Sequence, residues 1–179
     1  MMMNKARNNF PSAEECISLL RKVGCSEQVI CHCQAVCDVA LKIAVKTTAD
    51  QSLVRAGALL HDIGRSKSHG IDHAVIGARL ARELGISEDI IGIIEHHIGA
   101  GLSSSAAKGL GLPEKDFFPQ TLEEKIVCHA DNLIDDCRRQ NIEVEVERAL
   151  LEDKKDYAMQ LVKLHKEISE LIDMDANMV

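Results

Sequence analysis

The feature that most constrains the fold is a series of apolar residues spaced for amphipathic helices, each series preceded by a residue that caps helices. Ser12, Ser26, Asp50, Asp72 and Ser87 stand at these starting points. Ser and Asp side chains accept hydrogen bonds from the free amides of a first helical turn. We predict no half-exposed strand from the pattern of apolar and polar residues. The sequence therefore predicts an all-α protein.

The ends of these helices are also marked in the sequence. Glycine and a change of apolar pattern predict ends at Gly24, about Lys46, Gly64, Leu84 and His97. A further capping pair, Thr121 with Glu124, predicts a helix through the stretch LEEKIVCHADNLIDDCRRQ.

At 179 residues the chain is long enough for one domain and too short for two of ordinary size. We expect an N-terminal helix in 1–25, a central helical-bundle domain in 26–140 and a C-terminal segment with a long helix in 141–179. Apolar residues of that segment follow a seven-residue rhythm, at Leu150, Tyr157, Leu161, Leu164, Ile168 and Leu171. The stripe fits either packing on the domain or the seam of a homodimer, and the pattern does not decide between them.

One stretch differs from the helical pattern. Residues 98–120, IGAGLSSSAAKGLGLPEKDFFPQ, contain four glycines, three consecutive serines and two prolines. A connection this long is usually a functional lid or a disordered linker. Because it follows a pair of histidines and includes a possible short helix, we expect an ordered lid.

Charge and hydropathy limit the partners of the chain. The net charge of -7, with no basic cluster, argues against a general nucleic-acid surface. A small anionic substrate is still compatible, because a metal ion reverses the sign of the local field. No segment reaches the roughly 20 apolar residues of a membrane span, and MMMNKARNNF lacks the apolar run of a signal peptide. We expect a cytoplasmic protein without membrane contact.

The seven cysteines predict free thiols rather than a disulfide framework, because the number is odd and no export signal is seen. Cys31, Cys33 and Cys37 cluster in VICHCQAVCDVA, which raises the alternative of a thiolate metal site. Without a second CxxC-like pair, buried thiols acting as small apolar side chains are the preferred interpretation.

Histidines carry the strongest chemical signal. Five of the eight lie beside apolar positions on successive predicted helices, at His32, His61, His73, His96 and His97. A metal ion at their meeting point would compensate imidazoles for leaving water. Two aspartates in similar settings, Asp62 and Asp131, would complete the ligands, although exposure to solvent explains Asp131 equally well.

The spacing of His32, His61-Asp62 and Asp131 resembles the HD superfamily of metal-dependent phosphohydrolases. LLHDIG resembles its HDIG subgroup, and DHAVIGARLARELGI and IIEHHIGAG are similar to later elements of the superfamily. The five elements occur in order over about residues 26–137. The resemblance implies an HD-domain helical bundle.

The resemblance also implies a ligand set. One ion would be held by His32, His61, Asp62 and Asp131. A second ion would share Asp62 and bind His73 with either His96 or His97; we place His96 slightly ahead because its position resembles the first histidine of the family's pair. Two ions are favoured over one. Mixed imidazole and carboxylate ligands suit Fe, Mn, Zn, Ni or Co.

The resulting hypothesis is a phosphodiesterase or phosphomonoesterase acting on a nucleotide or related phosphoester by attack of metal-activated hydroxide. Asp62 would orient the hydroxide, and Arg65 would bind a phosphate oxygen, although a solvated arginine at a helix end is the alternative for Arg65. Lys67 and Lys108 are weaker candidates. The second hypothesis is a metal-containing module that senses a nucleotide without turnover.

Overall fold

The computed structural model describes residues 10–179, so residues 1–9 of the predicted N-terminal segment lie outside the description. Almost all of the regular structure is helical, which confirms the all-α class. The helices are α1 (Ala13–Val23), α2 (Glu27–Ala44), α3 (Gln51–Leu60), α4 (His73–Glu83), α5 (Glu88–His96), α6 (Ser104–Gly109), α7 (Leu122–Asn132), α8 (Ile142–Leu151) and α9 (Lys155–Leu171). Within this part of the chain, no helix is both long and apolar enough to cross a membrane.

The predicted helix starts are confirmed. Ser12 and Glu15 form a reciprocal capping box at α1, and Gly24 ends this helix with a φ of 94°, which favours glycine. The Ser26 hydroxyl accepts a hydrogen bond from the amide of Val29 at the start of α2. The Asp50 carboxylate does the same for two amides at the start of α3. Local capping chemistry therefore places the first three helices.

Two predicted helix ends are wrong. The third helix ends at Leu60 rather than Gly64, and the chain continues as a 3₁₀ helix over Ile63–Ser66. The helix predicted through residue 140 ends at Asn132. It is followed by a short antiparallel hairpin of β1 (Ile134–Asp135) and β2 (Arg138–Arg139). Asp136 in the turn has a φ of 53°, a left-handed conformation that an α-helix cannot continue through.

The main core is aliphatic and lies around α2, α3, α5 and α7. It includes the C-terminal helices, since Leu161, Leu164 and Ile168 of α9 are buried in it. Leu150 and Leu171 are exposed by 52% and 47%, and the turn after α8 interrupts the predicted seven-residue stripe. The stripe therefore packs within this chain along α9, and the homodimer stays a prediction.

The segment 98–120 is ordered and contains α6, as expected. It forms a small second core with the start of α4, made of Ala74, Ile98, Ala107, Leu112 and Phe117. The Phe117 amide donates to the Leu102 carbonyl at 2.8 Å, which closes the segment on itself.

The prediction of a buried free thiol is wrong for Cys31 and is confirmed for Cys33 and Cys37. Cys31 of α2 forms a disulfide with Cys137, which lies just before β2. The other five, Cys16, Cys25, Cys33, Cys37 and Cys128, are free and buried. Because 106 residues separate the two bonded cysteines, no local sequence pattern could show their pairing.

Candidate metal centre

The ends of several helices bring a group of histidines and aspartates together. His61 and His97 directly follow α3 and α5, where each occupies the C-cap position, and His73 is the first residue of α4. These three side chains meet others from α2 and from the last turns of α7. The complete group consists of His32, His61, Asp62, His73, His97 and Asp131.

A main-chain contact sets the distance between two parts of this group. Gly64 lies in the 3₁₀ helix that follows Asp62, directly against the backbone of α4. A Cβ at Gly64 would lie 2.7 Å from the amide nitrogen of Gly77 and would collide with the carbonyl of His73. Only glycine allows so close an approach, which brings Asp62 beside His73.

On one side of the centre, two imidazoles face both carboxylates. The Asp131 Oδ1 atom lies 2.9 Å from His32 Nε2 and 3.4 Å from His61 Nε2. The Asp62 Oδ2 atom lies 3.8 Å and 3.7 Å from the same two nitrogens. We call these four residues the first half-site.

On the other side, the second oxygen of Asp62 faces another imidazole pair. Asp62 Oδ1 lies 3.2 Å from His73 Nε2 and 3.5 Å from His97 Nε2, and the two nitrogens are 2.9 Å apart. We call these three residues the second half-site. Asp62 is thus common to both half-sites and presents one oxygen to each.

Backbone carbonyls orient all four rings. His61 Nδ1 lies 2.7 Å from the Ala58 carbonyl, and His73 and His97 make equivalent contacts to the carbonyls three residues before them. His32 Nδ1 lies 2.6 Å from the carbonyl of Asp136. A carbonyl only accepts, so each Nδ1 carries the proton and donates it. Each Nε2 therefore points its lone pair into the centre when the ring is neutral, which is the orientation of a metal ligand.

The arrangement fits a divalent cation. With neutral rings, Nε2 lone pairs face carboxylate oxygens and each other, which is repulsive without a positive charge between them. His61 Nε2 and Asp62 Oδ1 are buried and find no hydrogen-bond partner among residues 10–179. Buried polar atoms of this kind are costly unless something compensates them. Nitrogen and oxygen ligands together suit a transition-metal ion.

Both carboxylates are held in the charged form. Burial raises the pKa of Asp62, but the surrounding imidazoles of His61, His73 and His97 outweigh it and hold this pKa well below its usual value. The pKa of Asp131 is lowered in the same way by His61 and His32, against the effect of burial. The centre therefore offers two negative charges to a cation at neutral pH.

The structure brings His97, and not the slightly preferred His96, into this group. His96 lies outside the group, where its Nδ1 contacts Glu124 Oε2 at 2.9 Å. Consecutive residues at a helix end point in different directions, and here His97 is the one that faces Asp62. The other six predicted metal ligands, His32, His61, Asp62, His73, His97 and Asp131, all lie in the centre.

Arg65 lies at the centre, one turn after Asp62. Its Nε donates to Asp62 Oδ2 at 2.6 Å, and its side chain is 32% exposed. This position is compatible with the predicted contact to phosphate and differs from a fully solvated arginine. Lys108 instead pairs with Glu114 at 2.8 Å, within the segment 98–120.

The centre opens into a cavity of about 510 Å³. Of the described residues 98–120, only Ile98 and Gly99 line it, so the expectation of a lid over the site is not met in this structure. The C-terminal helices form the wall that sequence reasoning missed, through Glu145, Arg148 and Tyr157. The Tyr157 hydroxyl is 3.2 Å from a Glu145 carboxylate oxygen, and the other Glu145 oxygen is 2.7 Å from Arg148. Tyr157 is the one tyrosine of the sequence, but this alone did not indicate its place.

Fold and site together define a helical protein with a His-Asp centre. The sequence matches the HD domain family over residues 29–135, and the chain belongs to this family. The match includes the whole candidate centre and ends before the two C-terminal helices.

Relatives of the chain differ in length. It is 45% identical over 166 residues to the tRNA (cytidine(56)-2'-O)-methyltransferase of Thermoplasma volcanium, a match that covers 93% of this chain and 49% of that protein. It is 47% identical over 164 residues to an uncharacterized protein of Methanocaldococcus jannaschii, covering 89% of this chain and 92% of that one. The chain thus spans about half the length of the methyltransferase relative.

Among solved structures, the HD domain of the L. monocytogenes phosphodiesterase PgpH has a similar fold. The TM-score is 0.56 at 20% identity, with 86% of this chain and 94% of that domain covered. The complex of that domain with cyclic-di-AMP gives a TM-score of 0.55 at 19% identity, with 87% and 94% covered. At this identity the likeness supports the HD fold.

Proposed function

We propose that the protein is a metal-dependent phosphohydrolase that acts on a nucleotide or related phosphoester, as a phosphodiesterase or phosphomonoesterase. One observation carries the proposal: the two oxygens of Asp62 face separate groups of imidazoles in an open cavity. Such a shared carboxylate suits two ions better than one. A pair of ions close together is the arrangement that enzymes use for attack on phosphorus.

The residues of the centre have distinct roles in this proposal. Bound divalent ions supply Lewis-acid catalysis and lower the pKa of the attacking water. Asp62 and Asp131 would provide the negative charge that retains the ions, and backbone carbonyls orient the four rings toward them. Arg65 contacts Asp62 through Nε, which leaves its terminal nitrogens to donate to a non-bridging phosphate oxygen.

The far wall of the cavity supports a nucleotide as the substrate class. Glu145, Arg148 and Tyr157 offer a carboxylate, a guanidinium and a hydroxyl to the part of the substrate beyond the phosphate. These groups suit the hydroxyl and amino groups of a nucleoside. The PgpH HD domain, which has a similar fold, binds the nucleotide cyclic-di-AMP, and this supports a nucleotide as the ligand here.

We propose hydrolysis and not methyl transfer as the activity of this chain. The chain spans 49% of the Thermoplasma volcanium relative whose name includes this activity. The residues that carry our proposal form a centre of imidazoles and carboxylates, which suits metal-assisted hydrolysis.

The test is to prepare the protein without oxygen, measure bound metal, and assay cyclic, mono- and dinucleotides with Mn²⁺, Fe²⁺, Co²⁺ and Ni²⁺. We expect turnover of at least one of these nucleotides, and its loss in a folded Asp62→Ala variant. Bound metal without turnover of any nucleotide would favour the sensing module. Failure to bind any of the four ions would refute the metal centre.

A further inference from the structure

One histidine of the centre is oriented differently from the other three. His61, His73 and His97 each contact a carbonyl three residues earlier, within their own local structure. His32 instead depends on the carbonyl of Asp136, which is 104 residues away in sequence and lies in the turn between β1 and β2. The orientation of His32 therefore requires that this turn be held against α2.

The disulfide joins the neighbours of the two residues in this contact. Cys31 directly precedes His32, and Cys137 directly follows Asp136. The side-chain amide of Gln28 adds a second link, since its Nε2 donates to Asp136 Oδ1 at 3.3 Å. Cys31 is exposed and Cys137 is partly exposed, whereas the other cysteines are buried. Soluble thiols and disulfides can therefore reach this pair selectively.

We propose that Cys31 and Cys137 are redox-sensitive positioning residues, whose disulfide holds the Asp136 carbonyl against His32 and thereby sets metal affinity in the first half-site. The inference rests on the proposed function in one respect, because it assumes that the centre binds metal. The second half-site has its own local carbonyl contacts, so its affinity is independent of the disulfide.

The redox step is an exchange with a low-molecular-weight disulfide. One cysteine thiolate attacks the soluble disulfide and releases one thiol; the second cysteine then displaces the other thiol and forms the Cys31–Cys137 bond. Two electrons pass from the cysteines to the soluble disulfide, and the two cysteine protons appear on its two thiol products. A soluble dithiol reverses the reaction and is itself oxidised to a cyclic disulfide.

The expected change in metal affinity follows from the role of the Asp136 carbonyl, which orients His32. Groups that orient a metal-binding histidine typically change metal affinity by about 10–100-fold when they are removed. We therefore expect reduction of the disulfide to lower the affinity for one of two bound ions by at least about 10-fold and to leave the affinity for the other unchanged. A general loss of protein stability would instead lower the affinity for both ions together.

The experiment titrates the whole protein with Co²⁺, before reduction and after reduction followed by anaerobic removal of the dithiol. Labelling of denatured protein should find five free thiols before reduction and seven after it. A Cys31→Ser/Cys137→Ser double variant should show the weaker Co²⁺ affinity whether or not oxidant is added. The matched control is Cys37→Ala, on the same helix as Cys31, which should respond to reduction as the unaltered protein does.

The outcomes separate this proposal from the proposed function. Seven free thiols before reduction, equal Co²⁺ affinity in both states, or absence of Co²⁺ binding in both would overturn the positioning role. Redox-dependent Co²⁺ binding without hydrolysis of any nucleotide would support the positioning role and count against the phosphohydrolase alone.

Discussion

Two pairs of neighbouring histidines lie at nearly the same separation and have different surroundings. The ring centroids of His73 and His97 are 5.0 Å apart, and those of His129 and His165 are 5.1 Å apart. In the first pair, carbonyls hold both Nδ1 atoms, and Asp62 faces both Nε2 atoms. In the second pair, neither ring nitrogen of His129 has a hydrogen-bond partner in the described part of the chain.

The difference shows that proximity of imidazoles does not make a metal site. What distinguishes the first pair is fixed orientation together with a shared carboxylate. His129 lies between α7 and α9 with no such support, and burial lowers its pKa to about 3. It is therefore a neutral core residue at pH 7, whereas His73 and His97 face a charged group.

The largest expected effect comes from removing one ring of each pair. His73→Gln should lower nucleotide hydrolysis by more than about 100-fold, because it removes a proposed ligand rather than a group that supports one. His165→Gln, the matched change in the other pair, should leave kcat unchanged. Similar losses of activity in two folded variants would contradict the distinction between the pairs.

The next largest effect is expected from comparing His96 and His97, the two adjacent histidines at the end of α5. His97→Gln should weaken Co²⁺ binding at one of two ions by at least about 10-fold, because its Nε2 faces Asp62. His96→Gln should leave both affinities unchanged, because His96 contacts Glu124 instead. Titration by absorption of bound Co²⁺ measures both. A larger effect from His96→Gln would return that residue to the ligand set.

An intermediate effect is expected on the loss of stability in acid, and it comes from the buried ring of His129. At pH 7, His129 is neutral in folded and unfolded protein; below about pH 6.5 the unfolded imidazole gains a proton, and the folded one does not until about pH 3. Its burial should therefore cost about 2 kcal/mol of unfolding free energy between pH 7 and pH 5. Between pH 7 and pH 5, the free energy of unfolding of the His129→Leu variant should fall by about 2 kcal/mol less than that of the unaltered protein. Urea unfolding of the two metal-free proteins measures this difference. Equal losses in the two proteins would show that His129 is protonated in the folded state.

The smallest expected effect concerns a carboxylate that faces a single imidazole. Glu124→Gln keeps the shape of the side chain but removes the charge that His96 contacts at 2.9 Å. We expect a loss of about 1 kcal/mol in the free energy of unfolding and unchanged Co²⁺ affinity. Urea unfolding and Co²⁺ titration test the two parts; weaker Co²⁺ binding would mean that this pair supports the centre.

The sequence predicted the parts of the fold that depend on neighbouring residues. Capping by Ser12, Ser26 and Asp50 is local, and these helices begin as expected. The ligand set followed from a resemblance over several motifs, and the structure brings six of its seven residues together. The sequence left His96 and His97 open, because the direction of side chains at the end of α5 decides which of them faces Asp62.

What the sequence did not predict depends on contacts between distant residues. The disulfide and the cavity wall join segments that no local pattern connects, and the hairpin after α7 depends on the left-handed backbone of Asp136. The segment 98–120 was expected to be a lid over the site because it follows the pair His96-His97 and contains a short helix. Its own apolar residues, Phe117 among them, bury it against α4 instead.

The contact of Gly64 with the backbone of α4 has a consequence for sequence divergence. Main chain touches main chain there, so the spacing between Asp62 and His73 does not depend on which aliphatic side chains fill the surrounding core. Core residues can therefore exchange over evolutionary time without changing that spacing, as long as residue 64 has no side chain. Substitutions should accumulate freely among core leucines, isoleucines and valines, and very rarely at this glycine.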